Sequence, residues 1–496
     1  MILAKPQYSI NEFPAEILGH IFQIGVETEE DNTDEDKDDS EDDVSDAMST
    51  SSPGPSGSNI NAGSGRCHLF QVLASHVCRY WREVALNLPV LWKRLEFNGT
   101  LQLDKAKAFI NRAHGLPLII QIDCTPTKDT DEGHPDHPYC DPKRFLTQSD
   151  LMQILDLIEP EVSHWEAFHF AVIPHGYVQS LLSRLHKLPS APLLVSFRLC
   201  HAVLGNYEFF DGNYLPFHGN TPLLKSVVFW GIHIDWDNSL SFLRGLREFS
   251  LGQHPKEVQP SYITFAQIIK NSPDLLSLVL MGSMPALATV DDEGQWDPEP
   301  LDIPSVHHLV LRHQGPQYAS ALIQHFHFPN LRDLELYFNI DEDYSSFVRQ
   351  LSVPDKGRSN SILYGLEKLM ITQLTCDVTS TEMMLGQLTE LKYLHLSCPG
   401  PEDVITFAKL IKPSAGRIKQ RKAQIKTVAQ TLPKIFCPAL ETLVLNGVPG
   451  SNLKLLVTER KKAGARLKLL AINVNDGVTV NMVKWLKKNV ETVMVY

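Results

Sequence analysis

Along most of this 496-residue chain one short pattern of apolar positions recurs. It reads Leu-x-x-Leu-x-Leu, with other apolar residues allowed at each Leu position. Copies start at Leu194, Leu224, Leu246, Leu275, Val306, Leu331, Leu366, Leu391, Leu440 and Leu467, and Trp165-x-x-Phe168-x-Phe170 fits an earlier one. The last two apolar positions of a copy are two residues apart, so in a strand they face one side and the polar residues between face the other. Residues such as Glu335 and His395 are therefore expected to point outward. Six copies carry a proline two residues before their first apolar position: Pro192, Pro222, Pro273, Pro304, Pro329 and Pro438. Proline before a strand fixes the entry turn and needs no ladder partner. Helical periodicity fills several intervals, as at 265–270, 319–324, 344–351 and 404–411. A strand-plus-helix repeat of this size cannot bury its apolar face alone, so copies must stack. The pattern predicts an α/β architecture, an irregular leucine-rich-repeat-like solenoid, from about residue 99 to the end; an ordinary α/β domain with a parallel sheet is the alternative.

The first hundred residues read differently. Ile17, Leu18, Ile21 and Phe22 fall on one face of a helix, with Pro14 suited to its first position and Glu16 favourable to its dipole. Leu69, Leu73, Val77, Trp81 and Val84 recur at three- or four-residue steps, which predicts a second helical stretch that Pro89 ends or bends. By pattern alone this is a helical hairpin packed on the domain C-terminal to it.

The residues themselves say more. Asn11-Glu12-Phe13-Pro14-Ala15-Glu16-Ile17-Leu18 and, after a gap, Val77-Cys78-Arg79-Tyr80-Trp81 with Trp92 resemble an F-box. That module docks a protein onto the small adaptor of a Skp–cullin–F-box ubiquitin ligase. Phe13 stands where the family usually has Leu. The resemblance implies adaptor contact through Phe13, Pro14, Ile17, Leu18 and Val77, with Trp81 and Trp92 in internal packing. It implies an F-box-like all-α domain at 8–98 followed by the repeat region at 99–496. The whole arrangement is similar to the fungal F-box proteins with degenerate leucine-rich repeats, and residues 106–122 fit their first helix–strand unit.

Within the module an insert runs from about 27 to 66, acidic first and then rich in Ser, Gly and Pro. Its composition predicts disorder. Closing a loop about eightfold longer than usual costs only about 2 kcal/mol, so the module can still fold. Thr33-Asp34-Glu35-Asp36 and Ser40-Glu41-Asp42-Asp43 match acidophilic-kinase sites, although a solvated spacer explains the same composition.

Charge and cysteine usage narrow the function classes. Between Glu27 and Asp46 thirteen acidic residues and one lysine account for −12 of the net −13, so the remainder is close to neutral. No nucleic-acid or membrane partner is expected on electrostatic grounds. The eight cysteines include no Cys-x-x-Cys pair, which fits reduced thiols, and no signal-peptide-like or membrane-spanning run is found, so a cytoplasmic or nuclear location is expected. His134, His137 and Cys140 have plausible zinc-ligand spacing, with Asp131 or Asp136 nearby, but prolines stiffen the stretch and no second paired motif is present. No metal, cofactor or enzymatic activity is expected. The basic stretch Lys409 to Lys426 reads as an exposed helix that could meet an acidic partner or act as a nuclear-import signal, a solvated face being the plain reading.

These readings predict a substrate-recognition adaptor of a Skp–cullin–F-box-type ligase. The F-box would dock the Skp adaptor, and through it the cullin, while the repeat region captures a target protein. Residues between the strand leucines would read that target: Arg198, Lys225, Arg247, Glu335, Tyr337, His395 and Lys468. The alternative is a non-ligase interaction scaffold with a divergent F-box.

Overall fold

The computed structural model describes residues 13–38, 69–125, 145–201, 213–255, 258–283, 285, 300–339, 341–354, 360–397, 404–411, 435–448 and 450–496. Among them are thirteen α-helices and a large parallel sheet, a mixed α/β chain with no closed barrel. The chain forms two compact units, residues 1–170 with 191–194, and residues 171–190 with 195–496.

The first unit opens with helix α1 (Ala15–Asp38), α2 (Phe70–Val77) and α3 (Arg79–Leu86). Leu18 and Phe22, four residues apart on α1, are fully buried. Phe22 meets Trp81 with ring centroids 5.0 Å apart and Phe70 at 6.3 Å. α1 continues to Asp38, so the start of the insert expected to be disordered is helical; the rest of it lies outside the described residues. The second helical stretch is not continuous. Cys78 is extended (φ −155°, ψ 173°), and its Sγ accepts from the Trp81 amide at 3.4 Å. The break separates two faces that a single helix would have merged: Leu73 and Val77 are exposed, whereas Trp81 turns inward onto Phe22. Trp92 is buried as expected; its Nε1 donates to Ala85 O at 2.8 Å and its ring meets Phe109 at 4.9 Å. Two parallel strands, Arg94–Asn98 and Leu118–Cys124, come next, in register from Arg94↔Ile119.

In the second unit eleven strands, from Ser196–His201 to Thr492–Val495, lie side by side in sequence order. Every pair described is parallel, and the apolar pattern is in register from strand to strand. Leu278, Leu309, Leu334, Leu369, Leu394, Leu443 and Leu470 occupy one continuous row and are all fully buried. Each such side chain stabilises by about 1.5–3 kcal/mol through burial. The prolines do what their spacing predicts. The amide of Leu224 donates to Thr221 O, Leu275 to Ser272 O, Leu331 to Phe328 O and Leu440 to Cys437 O, so Pro222, Pro273, Pro329 and Pro438 occupy the second position of tight turns. That position requires a φ near the value the proline ring already fixes.

Four successive strands of this sheet, Ser226–Trp230, Glu248–Gly252, Ser277–Met281 and His308–Arg312, also leave by a repeated turn. Gly231, Gln253, Gly282 and His313 all have positive φ, and the amide of each donates 2.7 Å to the last carbonyl of the next strand. The connections are helical after some strands, as Tyr262–Lys270, Pro316–His325 and Ser345–Ser352, whereas among the described residues between Ser196–His201, Ser226–Trp230 and Glu248–Gly252 there is a single 3-10 turn in each interval. Helical periodicity is correspondingly absent from those two intervals.

Candidate functional site

Two surfaces stand out, one in each unit. On the helices of the first unit, Phe13, Ile17, Ile24, Leu73 and Val77 are exposed large apolar residues; Ile17 is 51% and Val77 60% exposed. Ile17 and Ile24 lie seven residues apart on one face of α1, and Leu73 and Val77 four apart on one face of α2. The Tyr80 hydroxyl donates to Phe13 O at 2.8 Å and ties the start of α3 to the chain entering α1. Exposed apolar side chains of this size on packed helices make these faces the candidate interaction surface of the first unit. Phe13, Pro14, Ile17 and Val77 are exposed, as adaptor contacts would be. Leu18 is not: at 0% exposure it belongs to the internal core with Phe22, because the i, i+4 pair points inward while Ile17 points out. Ile24 was not singled out from the sequence and Leu73 only as a member of the helical series, although their seven- and four-residue offsets from Ile17 and Val77 place them on the same faces.

The second surface is the face of the sheet opposite the leucine row. Glu335 lies at its most structured point. Lys368 Nζ is 3.3 Å from Glu335 Oε1 and 3.1 Å from Asp333 Oδ2. His308 Nε2 is 3.6 Å from Glu335 Oε1, and Arg312 3.8 Å from Oε2. Ser277 Oγ lies 2.9 Å from His308 Nδ1 and orients the ring, and the Arg312 guanidinium stacks 4.1 Å over Tyr337. Burial alone would raise the Glu335 pKa; the contacts from His308 and Lys368 outweigh it and hold the carboxyl down at about 2. Burial would lower the Lys368 pKa, but Asp333 and Glu335 raise it.

This cluster revises part of the sequence reading. Glu335 and Tyr337 face away from the leucine row but are each only 9% exposed, because their neighbours on the adjacent strands close over them. They hold the face together and are not free to read a target. His395 is half-buried, and Arg198, Lys225, Arg247 and Lys468 are exposed. Lys468 is bridged to Glu441 at 2.7 Å. The atoms of His308, Asp333 and Glu335 lie within 4.8 Å of one another, close enough to share a cation, yet the Lys368 ammonium lies against both carboxylates. With Arg312 it balances their charge, so the residues fit an ion-pair network better than a metal centre.

A third set of polar groups lies just beyond the strand ends. His254 Nε2 donates to Ile232 O at 2.9 Å while its Nδ1 accepts from Ser283 Oγ at 2.8 Å. His201 Nε2 donates to Ile173 O at 2.9 Å, and the Tyr344 hydroxyl to Gln314 O at 2.8 Å. These bonds satisfy buried turn carbonyls between successive repeats. His and Tyr share the task, so no single residue type advertised it in the sequence.

His134, His137, Cys140 and most of the basic stretch, residues 412–426, lie outside the described residues; Lys409 pairs with Glu382 at 2.7 Å. No helix among the described residues is long and apolar enough to cross a membrane. No family model matches this chain, and no curated protein is similar to it in sequence.

Proposed function

We propose that this chain is a substrate adaptor of a Skp–cullin–F-box-type ubiquitin ligase, acting without chemistry of its own in the cytoplasm or nucleus. The observation that carries the reading is the division of labour on the first three helices. Of the residues matching the F-box pattern, Leu18 and Trp92 are buried, while Pro14, Ile17 and Val77, with Phe13 in the place of the usual Leu, are exposed. Five large apolar residues held outward on packed helices are costly in water and suit an apolar adaptor surface.

The second unit supports the other half of the reading. Its strict sequence-order stacking, repeated proline turn and repeated exit turn fit an irregular leucine-rich-repeat-like solenoid, with the polar sheet face available to a target. Holding that target near a charged ubiquitin-conjugating enzyme raises its effective concentration there.

The test is co-purification with a Skp-type adaptor from the same organism. The useful variant is Ile17→Asp with Val77→Asp, since both side chains are exposed and their replacement is expected to leave the core intact. Leu18→Asp is unsuitable, because a charge in that core unfolds the helices. Adaptor binding by the native chain, lost in the folded double variant, is expected. No binding by the native chain, with the insert present or deleted, favours the non-ligase scaffold instead.

A further inference from the structure

The residue that precedes each strand of the second unit forms a row of its own, because its carbonyl accepts from the amide at the same place on the next strand. At one end Lys225 N donates to Val195 O, Arg247 N to Lys225 O and Leu276 N to Arg247 O, at 2.7–2.9 Å. At the other end the same bonds link Arg332, Glu367, Lys392, Glu441 and Lys468. There the side chains alternate in sign and neutralise one another. Arg332 reaches Glu367 at 3.5 Å, Lys392 reaches Glu367 at 2.7 Å and Lys468 reaches Glu441 at 2.7 Å.

The first end breaks that rule. Lys225, Arg244 and Arg247 are exposed, and among the described residues none of them forms an ion pair. Lys225 Nζ donates instead to Gly245 O at 2.9 Å, which folds it against the turn that carries the two arginines. The acids on the same elements do not answer these cations: Glu248 accepts from Ser226 Oγ at 2.8 Å, and Asp274 bridges to none of them. Apolar side chains flank the cations in the row and its entry turn. Val195 is 37%, Leu223 47% and Leu276 47% exposed.

We propose that this end of the row is where an acidic segment of a target protein docks, its carboxylates over Lys225, Arg244 and Arg247 and its apolar residues on Val195, Leu223 and Leu276. The inference rests on the target-capture half of the function proposed above and names the chemistry of the target. With neighbouring strands about 4.8 Å apart, Val195 to Leu276 spans about 14 Å, the reach of about five extended residues. Charge complementarity selects an anionic partner. The exposed apolar flanks favour a peptide over a nucleic acid, whose phosphates would leave them uncovered.

The experiment is fluorescence anisotropy on the full chain with a fluorescein-labelled peptide of core Leu-Glu-Gly-Glu-Leu. Saturable binding is expected, weakening as salt is raised. A Lys225→Glu, Arg247→Glu variant with native circular dichroism is expected to bind about tenfold more weakly, and Lys392→Gln, in the neutralised ladder, as the native chain does. Equal binding by the charge-reversed variant overturns the proposal. So does equal binding of a peptide with lysines for glutamates, tighter binding of a single-stranded oligonucleotide, or no peptide binding at millimolar concentration. The readout needs no Skp adaptor, so failure of adaptor docking and failure of this surface are observed separately.

Discussion

His254 shows how a single buried side chain ties stability to pH. It is 2% exposed and neutral, one ring nitrogen donating to Ile232 O and the other accepting from Ser283 Oγ. Burial, opposed by the bond to Ile232 and aided by His233, lowers its pKa to about 4. In the unfolded chain the ring takes up its proton near pH 6.5. Its contribution is therefore fully present above about pH 6.5 and lost as pH falls toward 4, at most about 3 kcal/mol. Glu335 acts lower down: with its carboxyl held at about 2, its contribution is present above about pH 4.5 and lost between there and 2. Urea midpoints measured from pH 7 to 4.5 should fall for the native chain and fall less for His254→Gln. Parallel curves for the two would sink the assignment. Gly252 gives a second residue-scale prediction. A Cβ there would lie 2.8 Å from Trp230 Cδ1, under an indole that lies across the sheet and donates to Ser250 Oγ at 3.0 Å. Gly252→Ala should shift the tryptophan emission and cost about 1–3 kcal/mol by overpacking; an unchanged spectrum and midpoint would show that the indole moves freely.

At the scale of elements, what the sequence disclosed and what it hid have separate physical causes. The strands were legible because burial imposes a strict period of two and the prolines mark their entries; the predicted positions from Leu224 to Ile472 are the buried ones. The polar face was not legible to the same degree. Period two says that Glu335 and Tyr337 leave the leucine row, but exposure depends on Lys368, Arg312 and His308, which reach across from neighbouring strands. Likewise the spacing from Leu69 to Val84 is continuous, and the break at Cys78 comes from backbone dihedrals that spacing does not encode. The same lesson separates Ile17 from Leu18. Helical phase put both on one face and the F-box resemblance implied both as contacts, whereas packing puts one outside and one in the core. Leu18→Ala should cost about 2–5 kcal/mol as a cavity mutation and Ile17→Ala well under 1. Thermal denaturation of the two variants checks this, and equal losses would refute the packing described for α1.

At the scale of the second unit, the sheet grows in sequence order, so each strand pairs with its immediate neighbours in the chain. Stability in such an array is close to a sum of local terms and nearest-neighbour interfaces. Damage should then stay local. Leu278 is fully buried, in register with Phe249 on one side and Leu309 on the other. Leu278→Ala should remove about 2–5 kcal/mol, and hydrogen exchange can show where it is lost. Amides of Glu248–Gly252, Ser277–Met281 and His308–Arg312 should exchange faster, while those of Thr442–Asn446 and Leu469–Ile472 keep their native rates. Uniform acceleration across all strands would mean that the unit opens as one body. Local opening matters for the docking surface proposed at the Lys225–Arg247 end. A face assembled strand by strand lets its cations change without disturbing the neutralised ladder from Arg332 to Lys468, so the choice of target can diverge at one end while the rest of the array keeps its fold.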